Sequence, residues 1–205
     1  MAQARYPHID AVRRNIGRVV VSRRQIAGRV GQLARQIARD YAGKELTILA
    51  VLTGSLVLLA DLVRRLPLMM RINVVSICSY PGKAIESQGP QLGASLAEGL
   101  TGKNVLIVDD IVDTGDTLRA LMEAVAAMNP LSLRTCALLL KNRPDLPQRP
   151  EVDFVGFEVG DEFLVGYGLD YDNLYRNLPD ICVLKQHMGR TRHCPAAGAG
   201  GEDTP

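Results

Sequence analysis

The chain lacks the features that mark a nucleic-acid binder, a membrane protein or a disulfide-stapled domain. Its 24 Lys and Arg residues barely exceed its 22 Asp and Glu residues, and a formal net charge of +2 leaves no footprint for a polyanion. No apolar run approaches the roughly 20 residues needed to span a bilayer. The longest, Ile48 to Ala60, is interrupted by Thr53, Gly54 and Ser55. The N-terminal residues include Arg5, His8 and Asp10 and show no apolar signal core. Only four cysteines occur, Cys78, Cys136, Cys182 and Cys194, far apart. They read as thiols of a reducing, cytoplasmic compartment. Cys182, His187, His193 and Cys194 lack the paired spacing of zinc ligands. The nucleoside-triphosphate pattern G-x-x-x-x-G-K-[ST] is missing, and no G-x-G-x-x-G follows a strand. The glycines at 198–201 fall in a polar tail. No internal repeat is evident.

What is present is the pattern of one α/β domain. A chain of 205 residues, 47% hydrophobic, can bury a substantial core and carry a small subdomain. Residues 1–15 are polar and are expected to be flexible. Arg18 to Val21 resembles a short strand. Ser22 is placed to cap a helix whose Ile26, Val30, Leu33, Ile37 and Tyr41 recur at helical spacing, and Gly43 ends it. Leu46 to Leu52 is continuously apolar, as in a strand buried on both faces. A helix over Leu56 to Leu66 and a strand over Asn73 to Cys78 follow. Periodicity then lapses to about residue 100, where Pro81, Gly82, Gly89, Pro90 and Gly93 suggest a mobile lid. Val105 to Val108 predicts a strand, Asp116 to Met128 a helix and Leu133 to Leu140 another strand. Phe154 to Phe157, Phe163 to Tyr167 and Cys182 to Leu184 predict short strands. With no helices between them, these short strands are expected to form a cap. Alternating strands and helices imply a mostly parallel sheet with right-handed crossovers. Residues 186–205 are expected to be a disordered tail.

The run of residues 105–118, Val-Leu-Ile-Val-Asp-Asp-Ile-Val-Asp-Thr-Gly-Asp-Thr-Leu, carries the chemistry. Asp109 and Asp110 are expected at the carboxyl end of a parallel strand, where ligands of open sheets bind. Two carboxylates can accept hydrogen bonds from vicinal sugar hydroxyls, or hold a hard divalent cation. Asp113-Thr114-Gly115-Asp116-Thr117 then opens a helix, whose free N–H groups and dipole suit one phosphate. Gly115 lets the amides turn inward. Together these features suggest a site for a ribose 5-phosphate that carries further phosphates and magnesium.

The same run resembles the phosphoribosyl-pyrophosphate signature of the type I phosphoribosyltransferases. Val152 to Glu158, Phe163 to Tyr171, Leu139-Leu140-Lys141 and Arg176-Asn177-Leu178-Pro179 narrow the resemblance to the hypoxanthine-guanine phosphoribosyltransferases. It extends from about Ile16 to Lys185. It implies a central, mostly parallel sheet flanked by helices in a single domain over residues 16–185. A small hood would be built from the N-terminal strand and about residues 150–185, and a lid from about 79–100. It also implies roles. Asp109 and Asp110 would hold the ribose hydroxyls and assist magnesium. Asp113 would act as general base or acid near the purine N7. Thr114, Gly115, Asp116 and Thr117 would cradle the 5-phosphate. Lys141 would donate to the exocyclic O6, Phe163 would stack on the base, and the main chain of Leu164 would bind its Watson–Crick edge. Asp170 would bind a second magnesium, and Arg176 the pyrophosphate. Thr53 and Gly54 match the pyrophosphate loop, where a cis peptide is typical of the family and would here join Leu52 to Thr53. Ser79 and Tyr80 match lid positions.

Two residues depart from the family pattern. Thr53 stands where many relatives carry lysine, and Asp116 where they often have a basic or neutral residue. The implied reaction joins a 6-oxopurine to 5-phosphoribosyl 1-pyrophosphate, with Mg2+ as cofactor and a dimer or tetramer as the assembly. The weighed alternatives are a xanthine- or guanine-preferring enzyme and an RNA-binding pyrimidine-operon regulator on the same fold. The near balance of charge disfavours the regulator.

Overall fold

The computed structural model describes residues 14–76, 99–144 and 151–185. The expected flexible start and tail, and the lid positions Ser79 and Tyr80, lie outside the described residues. The element order is β1 (Ile16–Val21), α1 (Arg23–Asp40), β2 (Leu46–Leu52), α2 (Leu56–Val63), β3 (Met70–Ser76), β4 (Asn104–Val112), α3 (Asp116–Ala126), β5 (Ser132–Lys141), β6 (Phe154–Val159), β7 (Leu164–Val165) and β8 (Ile181–Leu184).

Two sheets result. Five parallel strands run in the order β3-β2-β4-β5-β6, and three antiparallel strands in the order β1-β8-β7 make the hood. β2 and β4, at the centre of the large sheet, are buried on both faces, so their side chains alternate between two cores. Ile48, Ala50, Leu106 and Val108 face the core completed by α1 and α2. Leu49, Val51, Val105 and Ile107 face the core completed by α3 through Leu118, Leu121 and Val125. Ile48, Leu49, Leu106 and Ile107 have no exposure at all, and each such burial contributes roughly 1.5–3 kcal/mol.

The start of α1 is fixed as its sequence predicts. Ser22 and Gln25 form a reciprocal capping box, in which the Ser22 N–H donates to the Gln25 side chain at 3.0 Å. Asp180, just before β8, accepts from the Arg23 N–H at 2.6 Å. The same helix also guards the outer strand of the sheet. Arg29 donates to the carbonyls of Val155 and Gly156 in β6, at 2.7 and 2.8 Å. Cys136 and Cys182 are buried free thiols, and burial pushes Cys136 up to about 12. Among the described residues, no helix is long and apolar enough to cross a membrane.

Several expected boundaries are corrected. β4 does not stop at Val108 but runs on to Val112, because its ladder with β5 continues through Val112 and Leu140 while that with β2 ends at Val108 and Ala50. β6 does not join the hood; it is the parallel neighbour of β5 in the main sheet. The strand expected over Phe163 to Tyr167 is reduced to Leu164–Val165, since Gly166, Tyr167 and Gly168 adopt φ values of 101°, 51° and 99°, outside strand geometry. α2 ends at Val63, where bonds from Arg65 N to Leu62 O and Leu66 N to Val63 O tighten the chain into a turn.

Candidate active site

The large sheet reverses its direction of growth between β2 and β4: β3 is added outside β2, and β5 and β6 outside β4. Ligands bind at such a switch point, beyond the carboxyl ends of the strands. Thr53 and Gly54 follow β2, and Asp109 and Asp110 lie in the part of β4 that β2 no longer pairs. The Leu52–Thr53 peptide is cis. Ser55 is fully buried and anchors the loop by donating its hydroxyl to the Val51 carbonyl at 2.6 Å.

Gly54 is packed directly on Asp110. A Cβ at Gly54 would fall 1.9 Å from Asp110 Oδ2, and a Cβ at Gly168 would fall 2.1 Å from the Gly54 carbonyl oxygen. Asp110, Gly54 and Gly168 thus form a stack that joins β4, the loop after β2 and the segment after β7.

Asp109 is buried and accepts the Asp110 N–H at 2.9 Å. Burial first, and the neighbouring Asp110 charge second, hold its carboxyl well above the usual carboxylate range. Asp110 is also raised by burial, against the opposing pull of hydrogen bonds and the positive charge of Arg176. Such a pair gains from hydroxyl donors or a cation. Among the described residues, no three His, Cys, Asp or Glu side chains come together as a metal cluster. Two carboxylates without a third protein ligand fit a magnesium that keeps its waters and is completed by substrate phosphates.

Asp170 and Arg176 meet one another. Arg176 Nη2 lies 3.0 Å from Asp170 Oδ1, and Arg176 Nη1 donates to the Gly168 carbonyl at 2.8 Å. Asp170 Oδ2 accepts the Asn173 N–H at 2.8 Å.

The loop before α3 carries a left-handed Gly115, φ 85°, as the N-cap of α3, with no side-chain cap. Asp116 faces solvent. It accepts the Thr114 hydroxyl at 2.8 Å and pairs with Arg119 at 3.3 Å, with 72% of its side chain exposed. In the first turn of α3 its charge also complements the helix dipole. This accounts for the residue that departs from the family pattern.

On the far side, Lys141 Nζ lies 3.0 Å from Asp113 Oδ2. The register explains the meeting. Val112 pairs with Leu140, so the next residues on the two strands are Asp113 and Lys141. Phe163 packs edge-on against Tyr171, with ring centroids 5.6 Å apart and an 82° interplanar angle. Leu184 N donates to Phe163 O at 2.9 Å, so the Phe163 peptide groups face β8. Alternation therefore turns the N–H and C=O of Leu164 to the open edge of the hood, where β7 is the outer strand.

Two charged residues of this cluster go unremarked in the sequence. Arg143 Nη1 lies 2.7 Å from Asp113 Oδ1, and Asp161 Oδ1 lies 3.4 Å from Lys141 Nζ and 3.5 Å from Arg143 Nη1. The Lys-x-Arg spacing at 141–143 is the signal that finds Arg143, since alternate residues of an extended chain share a side.

Comparison with known proteins fits this geometry. A family model for the phosphoribosyl transferase domain matches residues 20–172. The hypoxanthine phosphoribosyltransferase of Salmonella typhimurium is 38% identical over 169 residues, spanning 80% of this chain and 92% of that protein. The hypoxanthine-guanine phosphoribosyltransferase of Dictyostelium discoideum is 38% identical over 172 residues, spanning 82% and 95%. A solved structure of hypoxanthine phosphoribosyltransferase from Staphylococcus aureus superposes with a TM-score of 0.74 at 35% identity, covering 85% of this chain and 95% of that one.

Proposed function

The chain belongs to the phosphoribosyltransferase family, with hypoxanthine and hypoxanthine-guanine enzymes as relatives over most of its length, and on that premise we propose how it acts. It is a pentosyltransferase of purine salvage. It transfers the 5-phosphoribosyl group of 5-phosphoribosyl 1-pyrophosphate to a 6-oxopurine, releasing pyrophosphate.

The observation that carries the base assignment is the Lys141–Asp113 pair, 3.0 Å apart. A purine with a 6-oxo group presents an acceptor at O6 beside N7. An ammonium next to a carboxylate matches that edge: Lys141 donates to O6 while Asp113 exchanges the proton at N7. An adenine, with a donor at that position, leaves Lys141 opposed. Phe163 stacks on the ring, and the main chain of Leu164 reads the far edge.

On the donor side, Asp109 and Asp110 accept from the ribose hydroxyls and favour the positive charge that develops on the sugar as the C1–O bond breaks. The amides at the start of α3, with Thr114 and Thr117, hold the 5-phosphate. Thr53, Gly54 and Arg176 receive the pyrophosphate. Asp109 and Asp110 would hold one magnesium and Asp170 a second, and the ions would supply charge that offsets the leaving pyrophosphate. Fixing donor and base in one geometry supplies much of the rate.

A dimer or tetramer is part of the same reading, because Met69, Ile72 and Val74 leave apolar surface uncovered at the β3 edge. Light scattering tests it.

The decisive experiment incubates the protein with the ribosyl donor, magnesium and hypoxanthine, guanine, xanthine or adenine, each alone. Nucleotide is expected from one or more of the 6-oxopurines and none from adenine. No product with any 6-oxopurine would overturn the proposal. Xanthine is included because a structural relative, 29% identical with a TM-score of 0.71, is named a hypoxanthine-guanine-xanthine phosphoribosyltransferase.

A further inference from the structure

Asp113 is held by two cations, and they divide its oxygens between them. Lys141 takes Oδ2 at 3.0 Å and Arg143 takes Oδ1 at 2.7 Å. Asp161 faces both cations at 3.4 and 3.5 Å, so the four charges sum to zero. The two cations are the less exposed members, at 11% for Lys141 and 22% for Arg143, against 44% for Asp113 and 62% for Asp161. Their attraction for Asp113 is therefore less screened than that of a surface pair.

We propose that Arg143 is a positioning residue that fixes the Asp113 carboxylate for the purine. The inference rests on the reading that Asp113 and Lys141 serve the base. When a 6-oxopurine enters, Lys141 must turn a donor toward O6, and its hold on Asp113 is shared or lost. Arg143 binds the opposite oxygen and has no part in that exchange. It keeps Oδ1 occupied and leaves Oδ2 aimed at the base. A guanidinium suits this task, since its planar fork is rigid and stays charged. Asp161 balances the second cation, so the site can carry both Lys141 and Arg143 without excess positive charge.

The test is a double-mutant cycle on nucleotide formation with a radiolabelled base. Arg143→Met is expected to lower kcat by about 10- to 100-fold, the scale of a misplaced catalytic group. The KM for the ribosyl donor should stay within about 2-fold, because the donor contacts lie on other elements. Arg143→Lys should recover part of the loss. In an Asp113→Asn background, Arg143→Met should cost nothing further. If Arg143→Met does not fold, Arg143→Gln enters the same cycle with the same expectation. Wild-type turnover in the single variant overturns the role, as does an equal loss in the Asp113→Asn background, which would mark a merely structural residue. A wild-type protein that forms no nucleotide removes the underlying reading and this role with it.

Discussion

Gly54 lies against Asp110 so closely that a Cβ would fall 1.9 Å from the carboxylate Oδ2. The loop after β2 and the acidic end of β4 are thereby one surface. Gly54→Ala must push the carboxylate or the loop aside. The cost should be about 1–3 kcal/mol of stability, with loss of magnesium-dependent donor binding. Denaturant melts and donor calorimetry check both; unchanged donor affinity would show that the contact is not part of the donor site.

Asp109 is a burden on stability near neutral pH. Its carboxyl is raised by burial and then by Asp110, so the folded chain holds that proton more tightly than the unfolded chain. Its contribution to stability is therefore most favourable near and below the unfolded value of about 3.9, and declines as pH rises toward the folded value. Asp109→Asn removes that slope. The variant should melt about 2–4 °C above wild type near neutrality while binding the donor more weakly. A variant that melts lower at pH 7 contradicts this.

Asp153 should behave in the opposite sense. It ties the entry of β6 to β5, accepting the Thr135 N–H at 2.8 Å, the Thr135 hydroxyl at 2.9 Å and Arg134 Nε at 3.0 Å. Burial raises its pKa, but these donors together outweigh burial and hold it below the usual range. The stability so gained is present above about pH 3.9 and is lost as pH falls through the folded value. Asp153→Asn should cost about 1–2 kcal/mol at pH 7, with the difference closing in acid. Melts at pH 7 and pH 3 distinguish the two regimes.

Asp113→Asn should lower turnover by about 10²- to 10⁴-fold, the usual contribution of a general acid–base group. Donor binding in the presence of magnesium should survive. Lys141→Met should lower kcat/KM for the base by about 10- to 100-fold, equivalent to one charged hydrogen bond. Steady-state kinetics with the base and the donor varied separately read both effects.

Asp116→Asn should improve donor affinity by about 2- to 5-fold, the scale of an exposed charge interaction. The carboxylate is exposed but adjoins the proposed phosphate site and engages the Thr114 hydroxyl. The gain should fade in high salt, where screening shortens to about 3 Å at 1 M. A gain that persists there would locate the effect in the hydroxyl.

Much of this was legible along the chain. The unbroken apolar run of β2 and the one-faced spacing of α1 follow from burial alone, as does the Ser22 cap from its Gln25 partner. The turn into α3 was legible because Gly115 stands just before the helical spacing begins. The end of β4 was not, because Asp109 and Asp110 look like the close of a strand while β5 goes on pairing beyond them. β6 was misassigned because a parallel pair usually has a helix between its strands, while the sequence from Asn142 to Asp153 has no helical spacing. Arg143 and Asp161 were hidden for another reason. Their roles arise only when β4 and β5 bring Asp113 beside Lys141, a relationship between distant residues that local spacing does not express.

The orientation of Leu164 limits how base preference could change. Its N–H and C=O face the open edge of the hood, and these atoms are common to every residue but proline. Under the proposed role, exchanging the side chain at 164 leaves the recognition vocabulary intact. A library built at that position would return stability variants and few altered preferences. New preference would have to come from tilting the strand itself. Gly166, whose Cβ would fall 2.1 Å from the Asp180 carbonyl, is where the backbone leaves least room to do so. Selectivity written in main chain is inherited with the fold, and drifts only as fast as the fold does.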